Sequence, residues 1–419
     1  MKNYFSKQWS LSIIIILISI STESQTQETT FLDAWPLRPV FRQIRLTLLD
    51  IFGRTSSTPQ YLNSARKINK LQDVIPNSSS FPCNVKNMRS QIRPTSVHEL
   101  RPGDIDVIGA IGDSLTAGNG LAATHLLQLH TENRGLSWSI GGQGTWREFL
   151  TLPNILKEFN PKLVGYSTGD GLSVEKQAQF NIGYAGAMSR DMPHMIKELA
   201  RRMKNDKRVD YVNDWKMITV MIGPNDFCLE ICYHNNPVDE LEKHRRHMIS
   251  VFRYIRDNIP RAIVNLVLAP NLEIIVKFSH PGNCYLYRRV LCPCLFGLVN
   301  EPKVPRFVKL MSAWQDIEEE VANLPEFQGL DSFAVVVQPF VKYLQFPKTK
   351  NNETDHSFLA PDCFHFSQKA DAKAANALWN NLLEPVGEKS TNWSELFSPL
   401  LCPTEEHPYI YTHKNSNQT

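Results

Sequence analysis

A serine stands at the carboxyl end of an apolar run, in the stretch "DVIGAIGDSLTAGNG" from Asp106 to Gly120. If this run is a buried strand that turns at Gly112 into a helix, the hydroxyl of Ser114 is placed to act as a nucleophile. Its backbone N–H would then be an unpaired donor at a helix start, which suits an anion. A serine that only caps the helix has the same signature, so this stretch alone leaves both interpretations open.

Three further segments carry residues that would complete the chemistry of an activated serine. In "SIGGQGT" the N–H of Gly142 could approach a bound carbonyl oxygen, and in "MIGPNDF" the amide of Asn225 could donate to the same oxygen. In "PDCFHFS", Asp362 and His365 have the spacing that lets a carboxylate orient an imidazole base. Each segment also has an interpretation without catalysis. Gly142 could serve only a turn, Asn225 could be a turn residue, and His365 could lie in a solvated loop.

Apolar periodicity predicts the elements that position these residues. Runs without polar alternation predict buried strands at residues 104–112, 136–142, 215–223, 262–270 and 333–340. Helical spacing predicts helices at Ala185–Lys204, Val238–Asp257, Val304–Asn323 and Gln368–Leu383. The alternation indicates an α/β fold with a mostly parallel sheet between helical layers, whose ligands bind beyond the carboxyl ends of the strands.

The stretches "GDSL", "GG", "PND" and "DCFH" resemble the four blocks of the GDSL lipases, also called SGNH hydrolases. Longer stretches such as "NRGLSWSIGGQGTW" and "PDCFHFSQKA" resemble the membrane-associated phospholipase B branch of that superfamily. The resemblance implies a three-layer α/β/α flavodoxin-like fold and a serine esterase without a cofactor or metal. It implies a triad of Ser114, Asp362 and His365. It also implies an oxyanion hole formed by the N–H groups of Ser114 and Gly142 and the side chain of Asn225.

The same branch resemblance implies hydrolysis of phospholipid and lysophospholipid acyl esters through an acyl-serine intermediate, at a transient membrane or micelle surface. An esterase for smaller esters, such as carbohydrate acetates, would use the same catalytic residues, because specificity depends on the pocket. A non-catalytic secreted binding protein is a third possibility, against which the intact triad argues. The formal net charge of +3 gives no electrostatic reason to expect a nucleic-acid partner.

The N-terminal residues predict export from the cell. Lys2 and Lys7 precede an apolar run from Leu11 to Ser21, as in a secretory signal, and the run is shorter than the roughly 20 residues of a membrane span. An uncleaved signal anchor is the alternative. The polar end "PYIYTHKNSNQT" carries no anchor signal. We therefore expect a secreted, extracellular protein with a signal peptide at 1–24, an irregular segment at 25–100, a catalytic domain at 101–388, and a C-terminal tail at 389–419.

An even number of cysteines in an exported chain predicts disulfides, although no pairing follows from sequence. The candidates are Cys83, Cys228, Cys232, Cys284, Cys292, Cys294, Cys363 and Cys402. Sequons predict glycosylation at Asn77, Asn352, Asn392 and Asn417.

Two charged stretches and one apolar stretch have less specific interpretations. The pair His244 and His247 in "EKHRRH" is interpreted as a solvated helix face rather than a metal site. The basic stretch Lys197–Arg208 is likewise interpreted as solvated, with contact to anionic lipid as the alternative. The stretch "CPCLFGLV" fits either an acyl groove or a disulfide-tied loop.

Overall fold

The computed structural model describes residues 55–278 and 282–416, together with five isolated positions between residues 40 and 51. The chain divides into two compact units, Met1–Arg42 and Gln43–Thr419, and every feature below belongs to the second. The predicted signal peptide and the sequon at Asn417 lie outside the described residues.

Within the described residues, four strands form one parallel sheet in the order β1-β2-β3-β4. The strands are β1 Ile105–Gly112, β2 Trp215–Met221, β3 Ala262–Val267 and β4 Phe333–Gln338. Four of the five predicted strands are thus confirmed. They are almost completely buried, as uninterrupted apolar runs in a covered parallel sheet should be.

The predicted strand at 136–142 is wrong. Residues Arg134–Leu136 form a 3₁₀ turn, and the N–H of Gly141 donates to the carbonyl of Ser137 at 2.7 Å. A bridge between Gly141 and Ser167 is the pairing this segment makes within the described residues. The serines and glycines that interrupt its apolar residues favour turns over a ladder, because they lack the β-branched side chains that stiffen a strand.

A different segment runs along the free edge of β1. Asn181 forms a parallel bridge with Ala110, the N–H of Ile182 donates to the Ala110 carbonyl at 2.9 Å, and the N–H of Tyr184 donates to the Gly112 carbonyl at 3.0 Å. This segment therefore delivers residues 185–189 to the point where β1 ends, which is the edge at which ligands of parallel sheets bind.

The helices follow the predicted pattern with one exception. The predicted helix at Ala185–Lys204 begins only at Met192, because Gly186 adopts a positive φ of 79° and the preceding residues form a loop. The other three predicted helices match within one residue at each end. The described α-helices are α1 Pro59–Lys67, α2 Ser114–Ala117, α3 Leu152–Phe159, α4 Met192–Asn205, α5 Asp239–Asn258, α6 Glu273–Val276, α7 Gly282–Leu291, α8 Pro293–Phe296, α9 Val304–Ala322, α10 Gln368–Leu382 and α11 His413–Ser416.

Apolar side chains cover both faces of the sheet. In β2, Met217 belongs to a core cluster shared with α3 and α10, whereas Ile218 belongs to a second cluster shared with α4 and α5. Phe159 of α3 stacks on Trp379 of α10 with ring centroids 5.3 Å apart. Two helical layers around a parallel sheet confirm the predicted α/β/α architecture.

Four disulfides pair all eight cysteines: Cys83–Cys402, Cys228–Cys292, Cys232–Cys294 and Cys284–Cys363. The first joins the segment before β1 to the segment after α10. The segment before β1 contains helix α1, and the ammonium of Lys70 just after it donates to the carbonyls of His356 and Leu359, at 2.7 and 2.6 Å. The segment before β1 is thereby joined to the segment after α10 and to the loop that precedes α10.

No helix among the described residues is long and apolar enough to span a bilayer.

Candidate active site

The turn from β1 into α2 presents Ser114 at the end of the sheet. The carboxylate of Asp113 caps the helix by accepting the N–H of Leu115 at 2.9 Å. A side chain at Gly112 would come within 2.5 Å of the Met221 carbonyl, so the turn requires glycine there. The side chain of Ser114 starts the helix and borders a cleft, although only 6% of the residue is exposed.

Three of the predicted residues form a continuous hydrogen-bonded series. The Oγ of Ser114 lies 2.9 Å from Nε2 of His365, and Nδ1 of His365 lies 2.5 Å from Oδ2 of Asp362. The other oxygen of Asp362 accepts the backbone N–H groups of Phe364 and His365, each at 3.1 Å. In this geometry the carboxylate holds the imidazole in the tautomer that accepts the serine proton.

The local charges suit His365 to the role of a base. Burial opposes a charge on the imidazole, but the Asp362 carboxylate outweighs burial and raises the pKa of His365 above its ordinary value. Burial likewise works against the Asp362 carboxylate, yet His365 and the two backbone donors lower the pKa of Asp362 below its usual value. The pair therefore favours an ionised aspartate beside a histidine that readily takes a proton.

A second buried carboxylate lies behind the nucleophile. Burial raises the pKa of Asp113 to about 6, against the hydrogen bond from the Leu115 N–H. The charge of Asp113 also helps to raise the pKa of His365. Its oxygen Oδ2 has no hydrogen-bond partner within the described part of the chain. Asp113 therefore acts on the site through its field as well as through the helix cap.

Asn225 lies at the carboxyl end of β2, next to β1. It follows Pro224 and starts a π-helical turn at Asp226–Glu230. Its side-chain Nδ2 donates to the carbonyl of Ala187 at 2.9 Å, and both Ser114 and Asn225 line the same cleft. The structure thus brings Asn225 to the nucleophile, with its amide held by the loop that follows the edge segment.

The structure does not bring Gly142 to this cleft, so the prediction that its N–H serves an oxyanion is wrong. That N–H donates to the carbonyl of Ser167 at 2.8 Å, and Gly142 does not line the cleft. A side chain there would overlap the ring of Tyr166, which explains the glycine by packing. Gly186 lies next to Ala187, and no hydrogen bond among the described residues uses its N–H.

The cleft beside Ser114 is narrow and mostly apolar. Its polar lining residues are Asp113, Ser114 and Asn225. The remaining lining residues are Leu115, Pro224, Pro270, Leu272, Ile274, Ile275, Leu344, Phe346, Phe364 and Phe366. Such a cleft can hold a hydrocarbon chain with its carbonyl at the serine.

Sequence reasoning missed a buried network that includes His244. His244 was predicted to be solvated, but it is fully buried and stacks on Trp314 with ring centroids 3.7 Å apart. Its Nδ1 lies 2.7 Å from the hydroxyl of Ser189. The carboxylate of Asp226 accepts the N–H of Ser189 at 3.1 Å, so the network fixes the loop of Gly186 against the turn of Asn225. His247, in contrast, is partly exposed. Because its neighbours in the sequence are charged, the sequence did not indicate that His244 is buried.

A buried arginine holds the loop that carries the triad acid and base. Arg288 of α7 is fully buried, and its Nε and Nη2 donate to the carbonyl of Cys363 at 3.0 and 2.8 Å. Its Nη1 donates to the carbonyl of Ile275 at 2.9 Å. Burial lowers the pKa of Arg288 to about 10, which leaves it charged at neutral pH. Together with the disulfide Cys284–Cys363, Arg288 ties α7 to the residue next to Asp362.

One grouping of potential metal ligands occurs in the described part of the chain: Cys284, His356 and Cys363. Both cysteines belong to one disulfide and offer no thiolate, so this grouping lacks the ligands of a thiolate metal site.

A parallel α/β sheet with a serine, a histidine and an aspartate bonded in series at its carboxyl edge is the arrangement of a serine hydrolase. The model of the GDSL-like lipase/acylhydrolase family matches residues 108–378, well over half of the chain. The chain belongs to this family and is a carboxylic ester hydrolase, which confirms the resemblance found in the sequence.

The curated relatives carry the name "Phospholipase B1, membrane-associated". The mouse protein is 40% identical over 365 residues, which cover 84% of this chain and 24% of the relative. The rat protein is 38% identical over 371 residues, covering 85% and 25%, and the human protein is 39% identical over 342 residues, covering 81% and 23%. The chain thus spans about a quarter of the length of these relatives.

Proposed function

We propose that the chain is a phospholipase of the B type, which hydrolyses acyl esters of phospholipids and lysophospholipids through an acyl-serine intermediate. The observation that carries this proposal is the series Ser114–His365–Asp362 opening directly onto an apolar cleft. The name of the relatives supports the choice of substrate. A carbohydrate acetate would need several polar contacts along the cleft, whereas ten of its thirteen lining residues are apolar.

The reaction proceeds in two acyl transfers. His365 accepts the Ser114 proton while Oγ attacks the ester carbonyl, and it then donates that proton to the leaving glycerol oxygen. A water molecule, deprotonated by the same imidazole, attacks the acyl-serine and releases the fatty acid. Asp362 stabilises the imidazolium in both steps.

The oxyanion is assigned three donors: the N–H groups of Ser114 and Gly186 and the Nδ2 of Asn225. Gly186 replaces Gly142 in this role because its loop passes the end of β1 and contacts Asn225 through Ala187. Glycine at this position also permits the positive φ of 79° that the loop adopts.

The export of the chain is part of the proposal. Four disulfides support an oxidising compartment, and the sequon residues Asn77 and Asn352 are exposed and so accessible to glycosylation. We infer a secreted glycoprotein with residues 101–388 as its catalytic domain, flanked by the segments at 25–100 and 389–419.

The test is hydrolysis of phospholipid labelled separately on each acyl chain, with Ser114→Ala as the matched inactive variant. Release of both labels by the wild-type chain alone supports a phospholipase B. Release of acetate from small esters, with both phospholipid labels retained, would replace it with the small-ester esterase. If the wild-type chain cleaves no ester, a binding protein is the better description.

A further inference from the structure

Between β3 and α9 the chain inserts the short helices α6, α7 and α8 beside the catalytic loop. The inner side of α7 is fixed to that loop by Arg288 and by the disulfide from Cys284. Disulfides from Cys292 and Cys294 fasten the insertion to the turn after Asn225. Ile275 of α6 forms part of the cleft wall. The insertion is thus anchored on its inner side to both halves of the site.

The insertion also exposes five large apolar residues, which are here called the outer apolar face: Tyr285, Leu286, Val290, Leu298 and Val299. Leu286 and Val290 lie one turn apart on α7, roughly opposite Cys284 and Arg288. They are 62% and 70% exposed, and Val299 in the following 3₁₀ turn is 85% exposed. Two large apolar side chains exposed one turn apart, on a helix that a disulfide and Arg288 hold in place, are typical of an interaction surface rather than of scattered surface side chains.

The charges of the insertion and of the helix that follows it indicate the class of partner, and Arg289 lies over the ring of Tyr285 with its guanidinium carbon 3.9 Å from the ring centroid. Residues 271–310 contain five cationic side chains that are not fully buried and two acidic ones, Glu273 and Glu301, and the Lys277 ammonium pairs with Glu273 at 2.8 Å. The cationic residues are Lys277, Arg289, Lys303, Arg306 and Lys309. Exposed apolar side chains in a stretch with an excess of cations match a phospholipid surface that contains anionic headgroups.

We propose that the outer apolar face docks this chain onto a phospholipid surface containing anionic lipid. The inference rests on the proposed function, and it adds the place of contact. Leu286, Val290 and Val299 enter the acyl boundary while the surrounding cations meet the headgroups. The same insertion supplies Leu272, Ile274 and Ile275 to the cleft. Docking therefore brings the lipid surface beside the wall along which an acyl chain reaches Ser114.

The first experiment measures binding of the Ser114→Ala chain to vesicles, so that hydrolysis does not alter the surface. Phosphatidylcholine vesicles with and without phosphatidylserine are compared by flotation. Leu286→Ser combined with Val290→Ser removes two apolar contacts and is expected to weaken binding about tenfold or more. The matched control is Ile92→Ser combined with Val212→Ser, which are 86% and 61% exposed and lie near the amino end of the sheet. The control is expected to bind like its parent.

The second experiment uses chains with an intact Ser114 and separates docking from catalysis. The Leu286 and Val290 variant should hydrolyse a soluble short-chain ester at the wild-type rate, which also shows that it is folded, and lose most activity on vesicles. If the wild-type chain cleaves the soluble ester but no phospholipid, the proposed function fails while the binding experiment still reports on docking.

Equal vesicle binding by the Leu286 and Val290 variant and its parent would overturn the proposal. Equal binding with and without phosphatidylserine would overturn the part assigned to the cations. A shift from dimer to monomer in the variant, with vesicle binding unchanged, would assign the face to a second copy of the chain.

Discussion

The side-chain amide of Asn225 donates to the carbonyl of Ala187 across 2.9 Å, and this bond joins the turn after β2 to the loop that passes the end of β1. One amide hydrogen of Asn225 is engaged by this contact, which leaves the other to face a substrate oxygen in the cleft. This hydrogen bond therefore orients the side chain of Asn225 and keeps Gly186 close to it.

Asn225→Ala is expected to lower kcat on a soluble ester by about a hundredfold or more, because one oxyanion donor typically contributes about 3 kcal/mol to the transition state. Single-turnover kinetics of the variant provide the measurement. Asn213→Ala, which removes an exposed asparagine before β2, is the control and should leave kcat unchanged. An Asn225 variant with wild-type turnover would remove this residue from the oxyanion hole.

The pH dependence of kcat/KM follows from the charges around His365. The imidazole must be neutral to accept a proton, and its pKa is raised above 6.5 mainly by Asp362 against the effect of burial. Activity should therefore be full at high pH and fall as the pH drops through a value above 6.5. This places the loss at a higher pH than an unperturbed histidine would.

Asp113→Asn tests the contribution of the second carboxylate. It removes a charge that raises the pKa of His365 while keeping an oxygen to cap Leu115, so the acidic limb of the profile should move to lower pH. A profile identical to that of the wild-type chain would show that the field of Asp113 does not reach the imidazole.

Arg288→Gln should lower the free energy of unfolding by about 3 kcal/mol, because it leaves the buried carbonyls of Cys363 and Ile275 without their charged donor. Denaturant titration measures this loss. Arg289→Gln, at the partly exposed neighbouring position, is the control and should change the stability by less than about 0.5 kcal/mol. A stable Arg288 variant would show that the disulfide alone holds the loop.

Chelation should leave ester hydrolysis unchanged, because His365 activates both the serine and the attacking water without a Lewis acid. The comparison is the initial rate on a soluble ester before and after dialysis against a chelator. A loss that calcium restores would contradict the mechanism.

Local sequence patterns were sufficient to predict the strands of the sheet. The uninterrupted apolar runs of β1 to β4 predicted the sheet, because strands that are covered on both faces lack polar residues at alternate positions. For Ser114, Asp362 and His365 each local segment also allowed a non-catalytic interpretation, and it was the joint resemblance to the GDSL lipases that assigned them to a triad. Their mutual distances depend on the crossover connections and could not be read from spacing.

The errors share a physical cause. Gly142 and Gly186 both follow apolar segments, and only the tertiary course of the chain decides which N–H is left unpaired beside Ser114. His244 sits among cations in the sequence, yet α5 turns it inward against Trp314. The disulfide pairings likewise depend on how the insertion folds back, which no local pattern encodes.

The contacts of Lys70 limit how the chain can be shortened. Its ammonium is bound by the carbonyls of His356 and Leu359, and Leu359 pairs with Phe366 right beside the catalytic histidine. Proteolytic cleavage after this lysine, or a recombinant chain that starts after it, would remove these two hydrogen bonds from the loop that carries His365. We therefore expect a cut that preserves full activity to fall upstream of Lys70.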